Sequence, residues 1–161
     1  MSEVNTIPSL ITDRSQADVD YVKQLIAKGW NAMTDEEKSQ WSNGLKGAYN
    51  ATDLNRVESA VDYVAKRLVP TGYIMDYAVK TTWQKNEFVS PAEAERYLGN
   101  IDKIRRGLVT GYEFPRVPAD LNNLTHEEAN DIERILSLVN AIISNVLSSY
   151  FYSNDLYSGE V

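Results

Sequence analysis

The chain has 161 residues, 43% hydrophobic and 24% charged, which suits one folded domain and fits neither a disordered tail nor a membrane protein. Its net charge of −7 sets up a negative field that disfavours nucleic acid and anionic lipid as partners. With no cysteine there is no disulfide framework, thiol nucleophile or Cys-based zinc site.

The opening Met1-Ser2-Glu3-Val4-Asn5 lacks the basic start and apolar run of a secretion signal, and no stretch nears the ~20 apolar residues that span a bilayer. Cytoplasmic synthesis without membrane insertion is the expectation. The first helix opens at Ser15, with Asp18 completing a capping-box pattern, and sets Val19, Val22, Leu25 and Ile26 on one face before Gly29 ends it. Thr34 and Glu37 repeat that start for a short helix to Trp41, broken by Asn43-Gly44.

From about Thr52 the apolar residues Leu54, Val57, Val61, Val64 and Leu68 step by three and four, predicting a third helix that Pro70 and Gly72 stop. The period then changes. Tyr73, Met75, Tyr77, Val79, Thr81 and Trp83 alternate with intervening residues, which predicts a strand over 73–83. A lone strand leaves backbone groups unpaired, so the pattern calls for a partner from residues 4–11, the C-terminus or another subunit.

Ser90-Pro91-Ala92-Glu93 opens a fourth helix through Tyr97, Leu98, Ile101 and Ile104 to Gly107. Residues 107–124 read as a loop. Thr125 and Glu128 open the longest helix, with Ala129, Ile132, Leu136, Val139, Ile143, Val146 and Tyr150 at heptad-like spacing, and Ile135, Leu138 and Ile142 widen the stripe beyond a two-stranded seam. The expected fold is mainly α: residues 1–161 form a single domain, an irregular bundle of about five helices with a small β element and an aromatic C-terminal tail from about 150 to 161.

Apparent chemistry resolves into helix ends. His126 is followed four places on by Asn130, so a zincin pattern is absent, and Glu127 and Glu128 suit a helix N-terminus, as do Asp35, Glu36 and Glu37. No nucleophile elbow, phosphate loop or calcium loop occurs. No catalytic, cofactor-binding or metal residues are therefore assigned. Arg96, Lys103, Arg105 and Arg106 read as a solvated helix end, and the sequons at Asn50 and Asn123 read as helix entries.

The aromatic residues carry more. Tyr150, Phe151, Tyr152, Leu156 and Tyr157 close the chain, and such a run either folds back on its own bundle or docks on a neighbouring subunit. Trp30 and Trp41 flank a short helix and read as core anchors. Trp83, before a polar loop, reads as a surface aromatic, with Tyr77 or Tyr112 beside it as a carbohydrate-stacking platform.

The run Trp41-Ser42-Asn43-Gly44-Leu45-Lys46-Gly47-Ala48-Tyr49-Asn50-Ala51-Thr52-Asp53-Leu54-Asn55-Arg56-Val57-Glu58 resembles a segment of phage and prophage structural proteins of Gram-positive (Firmicute-type) bacteria. Leu10–Arg14, Lys80–Trp83, Ala129–Glu133, Phe151–Ser153 and Tyr157–Glu160 are similar to the same family in the same order, so the resemblance spans most of the chain. Asn86–Val89 and Gly107–Tyr112 depart from its pattern.

The resemblance implies a tail, baseplate or fibre component located in the virion after synthesis in the host cytoplasm, without enzyme activity. Its partners would be other phage tail proteins and further copies of itself in a homo-oligomer, through a helical face, the strand edge or the aromatic C-terminus. A second reading is a receptor- or carbohydrate-binding module that meets host cell-wall sugars through Trp83 and Tyr77. A third is a small hydrolase built on carboxylates and His126.

Overall fold

A computed structural model describes the backbone of residues 6–108 and 113–158 and the side chains of 6–108 and 113–149. Among these residues the chain forms five α-helices: α1 (Gln16–Lys28), α2 (Asp35–Asn43), α3 (Ala51–Leu68), α4 (Pro91–Arg106) and α5 (His126–Ser158). Single 3-10 turns follow α1 at Trp30–Ala32 and α3 at Val69–Thr71.

Each helix starts on a reciprocal side-chain cap. Ser15 with Asp18, Thr34 with Glu37, Ser90 with Glu93 and Thr125 with Glu128 form the boxes expected from their spacing. Asn50 with Asp53 forms a fifth, starting α3 one residue earlier than its apolar period suggests.

Helices α3, α4 and α5 pack on one another and enclose the core, burying Val57, Val61, Val64 and Leu68 of α3, Tyr97, Ile101 and Ile104 of α4, and Ile132, Ile135, Leu136, Val139 and Ile143 of α5. The stripes read for α3 and α4 and most of that for α5 are thus buried faces, whereas Leu138 of the α5 stripe and Ile26 of the α1 stripe are exposed. Helices α1 and α2 form a satellite hairpin around buried Leu25 and Met33, joined by Tyr21 Oη donating to Gln40 Oε1 (2.7 Å) and by a Lys28–Glu37 ion pair (2.7 Å). Gly47 seats this hairpin: a Cβ there would lie 2.1 Å from the carbonyl oxygen of Asp18, so only hydrogen allows the approach.

The small β element is not present; no strand forms among the described residues. Residues 73–83 do alternate, with Tyr73, Met75, Tyr77 and Val79 turned toward the core and Ile74, Asp76 and Ala78 exposed. Their backbone partners, however, are side chains of the helices beneath. Asn55 serves both polar groups of Trp83, Glu58 Oε2 accepts from Lys80 N (2.6 Å), and Asn100 and Arg96 donate to Ala78 O (2.8 and 2.7 Å). Alternation here reports burial on one side, not pairing in a sheet.

Residues 6–15, which include the described part of one suggested partner strand (residues 4–11), cross α5 instead. Glu133 Oε2 accepts from Ile11 N (2.7 Å), and Asn130 brackets Arg14 by accepting from its N–H and donating to its carbonyl, each at 2.9 Å. A second suggested source, the C-terminus, is helix: residues 150–158 continue α5 to Ser158.

Candidate docking site

Trp83 is 3% exposed, which corrects its reading as a surface aromatic. Its indole Nε1 donates to Glu58 Oε1 (3.0 Å), and the Lys80 ammonium covers its ring 3.8 Å from the centroid. A tryptophan at the end of an alternating segment is carried inward with Tyr73, Met75, Tyr77 and Val79, although Thr81 is exposed. Tyr77 is half-buried and donates to Asp62 Oδ1 (2.9 Å), so burial and that carboxylate push its hydroxyl up to about 12. The two side chains do not form an exposed platform, and Tyr112 lies outside the described residues.

The tryptophans assigned to the core behave the opposite way. Trp30 is 49% and Trp41 38% exposed, because α2 buries none of its residues and so presents no core for them to anchor. Tyr150, Phe151, Tyr152, Leu156 and Tyr157 occupy the last turns of α5, and their side chains lie outside the described residues. Leu147 is the last α5 residue packed against the core among the described side chains.

Inside the bundle, charge is concentrated in two sites. In the first, Glu133 of α5 is wholly buried; its Oε1 meets Arg14 Nη2 (2.7 Å) and Arg56 Nη2 (2.6 Å), while Asp53 Oδ1 meets the same two nitrogens at 2.9 and 2.6 Å. Asp53 also caps α3 through its other oxygen, which accepts from Asn50 N (2.9 Å). Burial works against the Arg56 charge, but the Glu133 and Asp53 carboxylates outweigh it and hold the guanidinium well above its usual range. Two acids and two guanidiniums balance, which is the condition for burying charge at all.

In the second site Glu58 receives both terminal nitrogens of Arg96 (2.8 Å each) besides Trp83 Nε1 and Lys80 N. Above it, Tyr49 and Tyr97 share a 2.5 Å hydroxyl contact, and burial raises both phenols well beyond the ordinary tyrosine value.

Every buried side-chain nitrogen and oxygen among the described residues has a hydrogen-bond partner. Glu58 and Glu133 each accept four hydrogen bonds and Asp53 three, so these acids are structural ties committed to donors of the fold. His126 is half-buried beside Glu127 in a cleft of about 390 Å³ that Arg14 and Lys23 also line. No group of three or more His, Asp or Glu side chains fit to hold a metal occurs among the described residues.

Neither a family model, a curated protein nor a solved structure matches the chain.

The basic residues near the end of α4 are not one patch. Arg96 ties Glu58 and Ala78 O, Lys103 donates to Asp76 O (2.5 Å), Arg105 to Pro115 O (2.7 Å), and Arg106 pairs with Asp102. Three of the four hold irregular chain against α4. Asn55, Glu58, Asn130 and Glu133 were not singled out by the sequence reading. For the two glutamates a signal exists: Glu58 lies four after Leu54 and three before Val61, and Glu133 lies four after Ala129 and three before Leu136, both on apolar stripes. No helix among the described residues is long and apolar enough to cross a membrane.

Proposed function

We propose that the chain is a non-enzymatic structural and docking protein of a phage or prophage tail, a tail, baseplate or fibre component that assembles in several copies and with other tail proteins in the virion. The observation that carries the docking part is the length of α5: 33 residues, about 50 Å at 1.5 Å per residue, against 18 for α3 and 16 for α4. Its final turns carry the densest aromatic run of the chain. A short helix without tertiary support is marginal in water, and aromatic side chains supply contact area at low entropic cost. The tail assignment itself rests on the resemblance centred on Trp41–Glu58.

The rest of the molecule supports a scaffold over a catalyst, since its buried acids are consumed in ion pairs between elements. Stacking of cell-wall sugar on a Trp83 platform conflicts with the burial of that ring; the tryptophan faces open to solvent are those of Trp30 and Trp41.

Immunoblotting of purified phage particles from a lysogen that encodes the chain tests the assignment. The protein is expected in intact particles and in isolated tails at a fixed stoichiometry to other tail proteins. Its absence from particles would overturn the virion reading.

A further inference from the structure

A groove of about 840 Å³ runs along α4 opposite residues 117–122, apart from the two buried charge sites. Its α4 wall is one helical stripe, Ala94, Glu95, Leu98, Gly99 and Asp102, at the spacing that puts residues on a single face. Val89, Val117 and Leu121 form apolar walls, and Phe88 stands at the groove 82% exposed. That ring is apolar area left in water beside a concave apolar surface, the arrangement in which an aromatic anchors a partner.

Gly99 adds an independent observation. Glycine inside a helix is less favourable than alanine because its backbone loses more freedom on folding, and it is tolerated where a neighbour needs the room. A Cβ at Gly99 would meet nothing within 4 Å, so no part of the described chain uses that room. That open side leaves room for something that approaches α4 from outside.

Charge says what that is. The groove is lined by Glu95, Asp102 and Asp120 and by no lysine, arginine or histidine. Asp102 is answered by a largely exposed Arg106 at 3.0 Å, whereas Glu95 and Asp120 are exposed and paired with no cation among the described residues. A second copy would bring the same net charge of −7 to this acidic rim and is disfavoured there.

We propose that this groove docks a cationic, apolar-faced segment of another protein, laid over Gly99 against Leu98 and Phe88 with its lysines or arginines on Glu95 and Asp120. The inference stands whether or not the chain is a tail component.

The probe is a fluorescein-labelled three-turn amphipathic peptide with leucines on one face and lysines on the other, with a glutamate-for-lysine peptide as control. Fluorescence polarisation on the full chain should show the lysine peptide binding at least about tenfold more tightly than the control, and more weakly as salt rises. Gly99→Leu fills the groove without changing charge, and Glu95→Lys with Asp120→Lys inverts the rim. Each should weaken binding about tenfold or more.

Leucine is a better helix former than glycine, so the Gly99→Leu chain should keep or raise its melting temperature, and lost binding will not mean lost fold. Failure of the lysine peptide to bind, or equal binding to the parent and Gly99→Leu chains, would overturn the proposal. So would a change of sedimentation coefficient in Gly99→Leu, which would make a second copy the occupant.

Discussion

Asn55 on α3 brackets the backbone of Trp83, its Oδ1 accepting from Trp83 N at 2.7 Å and its Nδ2 donating to Trp83 O at 3.0 Å. A single carboxamide thus satisfies the donor and acceptor that a neighbouring strand would have satisfied. Asn130 on α5 does the same for Arg14. Segments 6–15 and 73–83 are each bracketed by one helix asparagine, beside the other helix side chains that hold them, which is how this bundle carries non-helical chain without a sheet.

Asn55→Ala and Asn130→Ala each leave two backbone groups without partners. Each should cost about 1–3 kcal/mol in urea unfolding. Asn130→Ala should be the larger, because its bonds to Arg14 are buried whereas those of Asn55 are part-buried.

Glu133 ties three elements, so Glu133→Ala leaves Asp53 alone to balance two guanidiniums, those of Arg56 and of Arg14, whose side chain is 2% exposed. A destabilisation of about 3–5 kcal/mol is expected, from the uncompensated charge more than from the lost contact. Pairing Arg14→Met with Glu133→Leu removes one charge of each sign and leaves the Asp53–Arg56 pair (2.6 Å) intact. That double variant should be more stable than Glu133→Ala alone, as chemical denaturation of both would show.

Two glycines should respond oppositely to alanine. Gly47→Ala drives a methyl into the α1 backbone at Asp18 and should destabilise by about 1–3 kcal/mol, with the α1–α2 hairpin losing its seat. Gly99→Ala meets open space and should stabilise by up to about 1 kcal/mol through helix propensity. Thermal melts of the two variants beside the parent check both signs.

Tyr77 has its phenol raised from 10.0 to about 12 in the folded protein, which favours the neutral form there. The stability linked to that shift is complete below pH 10 and is lost as pH rises toward 12. Tyr49 and Tyr97 are raised further by burial and should ionise only as the fold opens. Tyrosinate absorbance followed with circular dichroism should show exposed tyrosines titrating first and a later step coincident with loss of helix. Full tyrosine ionisation at constant ellipticity would contradict this.

Much of the fold was legible because helix signals are local. Ser15/Asp18, Thr34/Glu37, Ser90/Glu93 and Thr125/Glu128 are capping boxes a few residues long, and Val57, Val61, Val64 and Leu68 lie on one face of one element. Asn50 was legible as a helix entry, but its box with Asp53 was not, because an asparagine stands where the usual form has Ser or Thr. Residues 73–83 misled because period-two alternation records which side chains face the core, whereas strand identity depends on what pairs with the backbone. Here the partners are Asn55, Glu58, Arg96 and Asn100, distant in sequence. Trp83 and Trp41 exchanged their expected places for a related reason: exposure is set by what lies opposite each ring, which neither local sequence contains.

In the proposed function this bundle is a docking element whose α5 terminus meets another copy. Sedimentation velocity on the full chain and on a chain ending at Ser149 tests it most directly, with circular dichroism to verify that α3, α4 and the shortened α5 remain folded. The full chain is expected to sediment as a concentration-dependent oligomer and the shortened chain as a folded monomer. A full chain that stays monomeric at all concentrations, or a shortened chain that assembles equally well, would contradict it.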